Sequence, residues 1–342
     1  MGTNLLKNSQ RCYVIAEAGL NHNGSLEIAK KLIDVAAIAG TDAVKFQKRT
    51  VEKLAVGSTL NAKDDRFPEF GKTYREIREH LEFTSDQYLE LKVYAESKGL
   101  DFMVTAFDTV AVDFLEKLDL NYYKLASHSL TNLELLNYLA RLKKQTVLST
   151  GMAELQEIDQ AVEIFRHHKA PLSIMHCVSV YPTPLAECNL SMMDVLKKRY
   201  DLAVGYSGHE LGYLPTVVAV AMGAQIVERH YTLDKQMTGF DHKMSLSSDE
   251  LVNMVRDIRN IRKIQGSGQK KVSKAEWITR RKYHVSMASA KAIPTGAVLN
   301  EAMITWRNPG TGILPKLAHT ILGKRAKRDI PADELLSTEM FE

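Results

Sequence analysis

Short apolar runs recur at nearly even spacing between Tyr13 and Glu228. Several of them do not alternate in polarity, which is typical of parallel strands that are buried on both faces. The pattern predicts eight strands, at Tyr13–Ala16, Ala43–Phe46, Phe102–Thr105, Tyr122–Leu125, Thr146–Ser149, Leu172–His176, Leu202–Gly205 and Gln225–Glu228.

Apolar residues between these runs recur with a helical period. They predict helices at Leu26–Ala39, Ser85–Lys98, Ala111–Leu118, Leu133–Arg141, Leu155–His167 and Tyr213–Met222. Ser25 and Ser85 are expected as N-caps, and Gly40 and Gly99 as the residues that end helices. Eight strands with intervening helices predict an α/β protein with a (β/α)8 TIM barrel. A doubly wound open sheet is the alternative, because periodicity does not determine closure.

The pattern changes after a last predicted helix, Ser248–Gln265. We therefore expect a catalytic barrel domain at 1–265, a turn-rich basic linker at 266–282 and a small domain at 283–342. The small domain contains an internal repeat, in which 292–304 matches 329–341. The repeat predicts a compact fold with pseudo-two-fold symmetry.

Composition excludes several classes of protein. Hydrophobic residues make up 45% of the 342 residues and charged residues 25%, which are ordinary values for a globular protein. The net charge of +4 arises from a basic stretch at 256–282 that has a single aromatic residue, Trp277, and no nucleic-acid-binding motif, so nucleic-acid binding is not expected. No apolar run is long enough to span a membrane. Three cysteines without CxxC spacing and the lack of a signal-peptide core indicate a cytoplasmic protein.

Almost every predicted strand ends in a polar or reactive residue. The carboxyl ends of barrel strands meet at one face, where barrel enzymes have their active sites. Hydroxyl and ammonium groups that converge there would form a phosphate site. A nucleotide-binding fold is disfavoured, because the sequence contains no GxGxxG or Walker motif. The strand-end residues are Glu17, Lys45, Thr105, Lys124, Ser127, Ser149, Tyr181, Ser207, His209, Glu228 and His230.

His209 and His230 follow successive predicted strands. Two neutral imidazoles can share a divalent cation and leave positions open, as a catalytic metal requires. His22, His176 and His242 are further candidate ligands, although structural roles are favoured for them.

Motifs throughout the chain resemble those of the sialic acid (N-acetylneuraminate) synthase family, and the C-terminal region is similar to the antifreeze-like (SAF, β-clip) domain of these synthases. The N-terminal motifs are Glu17-Ala-Gly-Leu-Asn-His-Asn-Gly, Val44-Lys-Phe-Gln and Tyr123-Lys-Leu-Ala-Ser. The others are Leu148-Ser-Thr-Gly-Met, Tyr181-Pro-Thr-Pro, Gly205-Tyr-Ser-Gly-His-Glu and Val227-Glu-Arg-His-Tyr-Thr-Leu-Asp.

The resemblance implies a transferase that condenses phosphoenolpyruvate with an N-acetylmannosamine-type aldose, giving a nonulosonic acid and phosphate by C–O cleavage. It implies a divalent metal at His209 and His230, typically Mn²⁺, with Mg²⁺ or Co²⁺ as alternatives. It also implies a domain-swapped homodimer in which Arg307 reaches the partner's site.

The resemblance assigns the remaining site residues as well. The expected catalytic residues are Glu17, Lys124, Glu228 and Asp241. Phosphoenolpyruvate would be bound by Lys45, Thr105, Lys124, Ser127, Ser149, Ser179 and Ser207. The sugar would be bound by Glu17, Tyr181, Asp241 and Arg307.

Two positions depart from the family pattern. Ser129 stands where many members have an acidic residue, with His128 as a candidate substitute, and Ser179 stands where microbial members often have asparagine. The acceptor therefore stays open between N-acetylmannosamine, a 6-phosphorylated hexosamine and a deoxy-diamino hexose. No additional basic cluster in the sequence demands a 6-phosphate.

Two competing functions stay open, those of a metal-dependent aldolase and of a non-catalytic carbohydrate-binding protein.

Overall fold

The structure, a computed structural model, describes residues 11–342. They form two compact units, 11–266 and 267–342. In the first unit eight parallel strands follow one another in sequence order and close into a barrel, because β1 pairs with both β2 and β8. The predicted TIM barrel is confirmed, and the alternative of an open sheet is wrong.

The barrel strands are β1 (Tyr13–Gly19), β2 (Ala43–Lys48), β3 (Asp101–Ala106), β4 (Tyr122–Leu125), β5 (Gln145–Ser149), β6 (Leu172–Cys177), β7 (Ala203–Gly208) and β8 (Ile226–His230). The helices from β1 to β3 are α1 (Leu26–Ala39), α2 (Val51–Leu54), α3 (Gly57–Leu60), α4 (Tyr74–His80) and α5 (Ser85–Ser97). The later helices of this unit are α6 (Thr109–Glu116), α7 (Leu133–Leu142), α8 (Leu155–His167), α9 (Met192–Tyr200), α10 (Leu214–Ala221) and α11 (Ser248–Gln265).

Local signals explain where these helices begin and end. The side chain of Ser25 caps α1, as predicted, and Gly40 ends it with a left-handed φ of 73°. The predicted cap of α5 is off by one residue, because Thr84 rather than Ser85 accepts the Gln87 N–H in a capping box. Helices α2, α3 and α4 lie in the long connection between β2 and α5, where the sequence analysis predicted none.

The barrel interior is built in layers, because alternate residues of a strand point to the same face. One apolar cluster fills the lower part of the barrel, and we call it the apolar layer. A second and larger apolar cluster lies between the strands and the surrounding helices. The apolar layer consists of Ile15, Ala43, Met103, Tyr122, Val147, Met175 and Ile226.

The C-terminal unit contains helix α12 (Lys274–Tyr283) and an antiparallel pair of strands, β9 (Ser286–Ser289) and β10 (Ile304–Arg307). Nearly all of helix α12 lies within 266–282, the stretch that was expected to be a turn-rich linker, and a capping box of Ser273 and Glu276 begins it.

The two copies of the internal repeat pair with each other in the C-terminal unit. Ile293 and Ile330, which are equivalent residues of the two copies, form an antiparallel bridge with reciprocal backbone hydrogen bonds of 2.8 and 2.9 Å. Leu299 and Leu336, also equivalent, are both buried in the core of this unit. Pairing through equivalent residues is what the predicted pseudo-two-fold symmetry requires.

Among residues 11–342, no helix is both long enough and apolar enough to cross a membrane.

Candidate active site

A polar layer lies immediately above the apolar layer of the barrel. Each strand that contributes an apolar residue contributes the residue two positions later, on the same face, to a cavity of about 310 Å³ at the carboxyl ends of the strands. We call these residues the polar layer. They are Glu17, Lys45, Thr105, Lys124, Ser149, Cys177 and Glu228.

Buried charges in the polar layer neutralise one another. Lys45 Nζ lies 2.7 Å from Glu17 Oε2 and 3.4 Å from Glu228 Oε1, and it donates a hydrogen bond of 2.8 Å to Thr105 Oγ1. Lys124 Nζ lies 3.8 Å from Glu228 Oε2. All four charged side chains are at most 7% exposed, so their interactions are weakly screened by solvent.

The two carboxylates of the polar layer titrate in opposite directions. Burial raises the pKa of Glu17 and outweighs the attraction of Lys45. Burial also acts on Glu228, but two ammonium groups, Lys124 and Lys45, lower its pKa below the usual value. Carboxyl groups whose pKa values are pushed apart can divide the work of proton transfer and charge stabilisation.

The pKa values of the two lysines in the polar layer are also shifted in opposite directions. Burial lowers the pKa of Lys124, whereas the two neighbouring carboxylates overcome burial and raise that of Lys45. Lys124 Nζ donates to Ser149 Oγ at 2.7 Å.

The predicted serines surround the same cavity. Ser127, Ser149, Ser179 and Ser207 all line it. The backbone N–H of Gly151 donates to Ser127 Oγ at 2.9 Å. A Cβ atom at Gly151 would lie only 2.3 Å from Ser179 Oγ and 2.9 Å from Ser127 Oγ. The missing side chain at this position therefore keeps two hydroxyl groups close together at the cavity wall.

His209 and His230 meet at the cavity, with ring centroids 5.6 Å apart. His209 Nδ1 lies 2.9 Å from the carbonyl oxygen of Val178, so the Nδ1 hydrogen points there and Nε2 is the other ring nitrogen. Burial lowers the pKa of His230 to about 4 and keeps it neutral. For His209 burial acts in the same direction, but the Cys177 thiol and the Val178 carbonyl raise its pKa.

The cavity also collects two of the predicted sugar-binding residues. Asp241 Oδ2 lies 3.7 Å from His230 Nδ1, and the Tyr181 ring packs 4.1 Å from the His209 ring. Arg307, the remaining predicted residue, belongs to the C-terminal unit. Its guanidinium is exposed there and lies 3.3 Å from Asp333.

Ser129 stands at the family's acidic position, and His128 is its candidate substitute; of these two, His128 reaches the cavity. Ser129 is buried in a 3₁₀ turn and does not line the cavity, whereas His128 does. The three further candidate histidines are placed elsewhere. His22 stacks on Phe83, and His176 bonds the carbonyl of Cys188, as a structural role requires. His242 Nδ1 lies 2.7 Å from Thr232 Oγ1.

The sequence analysis missed several cavity residues, among them Gln47, Arg49, Arg78 and Cys177. The alternation along β2 that places Lys45 in the cavity also predicts Gln47 and Arg49 there, so a signal for these two existed. Cys177 follows Met175 by two residues in the same way. Arg78 lies on α4, and no local pattern connects it to the cavity.

Comparison with known proteins decides the family. The model of the NeuB family matches residues 32–270, and that of the SAF domain matches residues 285–342. The chain belongs to the NeuB family. Its resemblance to the sialic acid synthases and its C-terminal SAF domain, both predicted from sequence, are thereby confirmed.

Relatives of this NeuB-family chain are similar over nearly their whole lengths. The chain is 38% identical to the N,N'-diacetyllegionaminic acid synthase of Campylobacter jejuni, over 96% of this chain and 99% of that protein. It is 34% identical to the human N-acetylneuraminate-9-phosphate synthase, over 97% of this chain and 93% of that protein. A sialic acid synthetase from Leptospira borgpetersenii, solved with citrate, has a TM-score of 0.68 at 34% identity, over 80% of this chain and 93% of that one. The NeuB-family chain is thus an enzyme of the synthase type, and the non-catalytic alternative is wrong.

Proposed function

We propose that this enzyme condenses phosphoenolpyruvate with an aldose of the N-acetylmannosamine type, forming a nonulosonic acid and inorganic phosphate. The observation that carries the proposal is the polar layer. Two ammonium groups and a set of hydroxyls lie beside two carboxylates with opposed pKa shifts, and two histidines lie directly above. The names of two relatives, an N,N'-diacetyllegionaminic acid synthase and an N-acetylneuraminate-9-phosphate synthase, support it.

Phosphoenolpyruvate has two anionic groups, and the polar layer offers a cation for each. Lys45 with Thr105 and the surrounding serines suits the phosphate, which accepts several charge-assisted hydrogen bonds. Lys124, held by Ser149, suits the carboxylate. Ser127, Ser179 and Ser207 complete the phosphate site.

In the proposed reaction C3 of phosphoenolpyruvate attacks the aldehyde carbon, and positive charge develops at C2. Glu228, which two lysines keep ionised, stabilises that charge. Glu17 has a raised pKa and accepts the proton of the water that adds at C2. The resulting tetrahedral carbon expels phosphate by C–O cleavage. Tyr181 and Asp241 would orient the acceptor hydroxyls.

His209 and His230 fit a divalent metal ion, for which we propose Mn²⁺, with Mg²⁺ or Co²⁺ as alternatives. His230 is neutral, and its buried Nδ1 atom has no hydrogen-bond partner in the described part of the chain. His209 donates its Nδ1 hydrogen to a backbone carbonyl, as metal-binding histidines usually do. Two histidine ligands would leave coordination positions open for a substrate. Within residues 11–342 no group of three or more His, Cys, Asp or Glu is placed to hold a metal. The ion would supply Lewis-acid polarisation of the acceptor aldehyde.

Arg307 is proposed to act in trans within a domain-swapped homodimer. It lies in the small C-terminal unit, and its exposed guanidinium offers several donors in a fixed geometry for a sugar amide or hydroxyl. We further propose a cytoplasmic location, to which the free thiols Cys12, Cys177 and Cys188 are suited.

A phosphate-release assay tests the proposed reaction. The enzyme is incubated with phosphoenolpyruvate and Mn²⁺ and with a panel of hexoses: N-acetylmannosamine, its 6-phosphate and a deoxy-diamino hexose. Release should require phosphoenolpyruvate, an aldose and the metal together, and it should equal the keto acid formed. An aldolase, the competing enzyme, would form a carbon–carbon bond from pyruvate and release no phosphate.

A further inference from the structure

Two arginines at the mouth of the cavity carry positive charge that the protein does not neutralise. Arg49 follows β2, Arg78 lies on α4, and both line the cavity. Arg49 Nη1, Arg78 Nε and Arg78 Nη1 are buried without a hydrogen-bond partner in the part of the chain that the structure describes. Buried donors of this kind are costly unless something else satisfies them. We call these two residues the arginine pair.

Aromatic rings rather than carboxylates hold the arginine pair in place. The guanidinium carbon of Arg49 lies 3.9 Å from the centroid of the Phe107 ring, and that of Arg78 lies 4.3 Å from the centroid of Phe240. Among the described residues neither guanidinium forms an ion pair within 4 Å. Glu82 accepts a hydrogen bond from the backbone N–H of Arg49, but its carboxylate pairs with Lys48 at 2.6 Å rather than with the Arg49 guanidinium.

The two guanidinium groups lie close enough to repel each other. Burial lowers the pKa of Arg49 to about 10, and the positive charge of Arg78 adds to this effect, whereas Glu82 and Asp241 oppose it. At neutral pH Arg49 is still charged. Two like charges that are held together in a cavity wall, with donors free, form a site that an anion would stabilise.

The arginine pair is separate from the site proposed for phosphoenolpyruvate. Lys45, Gln47 and Arg49 point to the same face of β2, and a strand rises by about 3.3 Å per residue, so the backbone of Arg49 lies roughly 13 Å beyond that of Lys45. Gln47 connects the two levels: it donates to Glu17 at 2.6 Å and accepts from Arg49 Nη2 at 2.5 Å. A hexose chain placed with its aldehyde at the polar layer would point its far end toward the arginine pair.

We propose that the arginine pair binds a phosphate monoester at the far end of the acceptor, so that the preferred acceptor is a hexosamine phosphorylated on the carbon remote from its aldehyde. This inference rests on the proposed function and specifies its acceptor. Three unpartnered donor nitrogens on two planar guanidinium groups suit the three terminal oxygens of a phosphate monoester better than the two oxygens of a carboxylate. The pair joins residues far apart in sequence, which explains why the sequence shows no basic cluster.

The test compares kcat/KM for N-acetylmannosamine 6-phosphate and for N-acetylmannosamine in the wild type and in Arg78→Gln. The wild type should prefer the phosphorylated sugar, and the substitution should lower that preference about 10- to 100-fold, because one charged hydrogen-bonding partner of the phosphate is lost. Arg49→Gln should act in the same direction. Arg75→Gln is the matched control. It lies on the same helix, where it bonds Asn61 outside the cavity, and it should keep the wild-type preference.

Equal use of both sugars by the wild type, or a preference that Arg78→Gln and Arg49→Gln leave intact, would overturn the inference while the proposed condensation stands. If no aldose is turned over, the proposed function fails, and calorimetric titration of both sugars in the presence of phosphoenolpyruvate still decides the inference. Tighter binding of the phosphorylated sugar that Arg78→Gln abolishes would support the arginine pair as its site. Equal or absent binding of the two sugars would overturn it.

Discussion

The polar layer and the arginine pair differ in how their buried charges are satisfied. In the polar layer each ammonium group faces a carboxylate. Lys45 faces two of them, with its Nζ atom 2.7 Å from Glu17 and 3.4 Å from Glu228. In the arginine pair three guanidinium nitrogens are buried without any partner in the described chain. A charged group that the protein itself neutralises is suited to proton transfer and to stabilising a transition state. A charged group that has no partner in the protein is suited to binding a ligand of opposite charge.

The cavity therefore combines two functions, the reaction chemistry and the recognition of the acceptor. We assign the chemistry at C2 to the polar layer with the histidines above it, and the choice of acceptor to the arginine pair. Substitutions in the first set should therefore affect every acceptor equally, whereas substitutions in the second should change the ratio between acceptors.

The largest effect is expected at the metal-binding histidines. His209→Ala and His230→Ala should each abolish turnover with every acceptor and lower the binding of Mn²⁺ in equilibrium dialysis, because each removes one of two ligands. His176→Asn, at a buried histidine of the neighbouring strand that does not line the cavity, should retain both properties. Undiminished activity in excess EDTA would show that the reaction needs no metal.

Arg307→Ala should be nearly inactive if the arginine completes the partner's site. Mixing Arg307→Ala with His209→Ala under conditions of subunit exchange should restore about a quarter of wild-type activity, because half of the randomly formed dimers are mixed and each of these has one intact site. If exchange is demonstrated and no activity returns, Arg307 does not act in trans.

Lys45→Met should weaken the binding of phosphoenolpyruvate by about 2–3 kcal/mol, which corresponds to a 30- to 150-fold higher KM, since the phosphate loses a fixed cation. Lys48→Met is the matched control on the same strand, because Lys48 pairs with Glu82 and does not line this cavity. An unchanged KM for phosphoenolpyruvate in Lys45→Met would place the phosphate site elsewhere. A loss of activity with only one of the acceptors would contradict the division of roles between the polar layer and the arginine pair.

A smaller effect is expected at Gly151. In Gly151→Ala the added methyl group would press on the hydroxyls of Ser127 and Ser179, so the KM for phosphoenolpyruvate should rise by about tenfold, within the 1–3 kcal/mol typical of overpacking. Gly57→Ala adds a methyl group where no atom lies within 4 Å, and it should behave as the wild type. Equal kinetics for the two variants would show that the serine hydroxyls do not contact the phosphate.

The barrel could be predicted because its signals are local. The apolar runs mark the strands, and alternation along them brings Glu17, Lys45 and Glu228 to one face. The same rule applies to Gln47 and Arg49, although it was not extended to them. Arg78 could not be predicted, since only the folded chain brings α4 to the end of β2. Closure of the barrel likewise depends on the pairing of β1 with β8, which periodicity does not encode.

The most direct test of the central claim follows an isotope from phosphoenolpyruvate labelled with ¹⁸O at the bridging C–O–P oxygen. If water adds at C2 and the tetrahedral carbon expels phosphate, the label must leave with the inorganic phosphate. The account predicts labelled phosphate from the wild type with any acceptor that is turned over. Label retained in the keto acid would mean that the P–O bond breaks, and it would contradict the chemistry assigned to the polar layer.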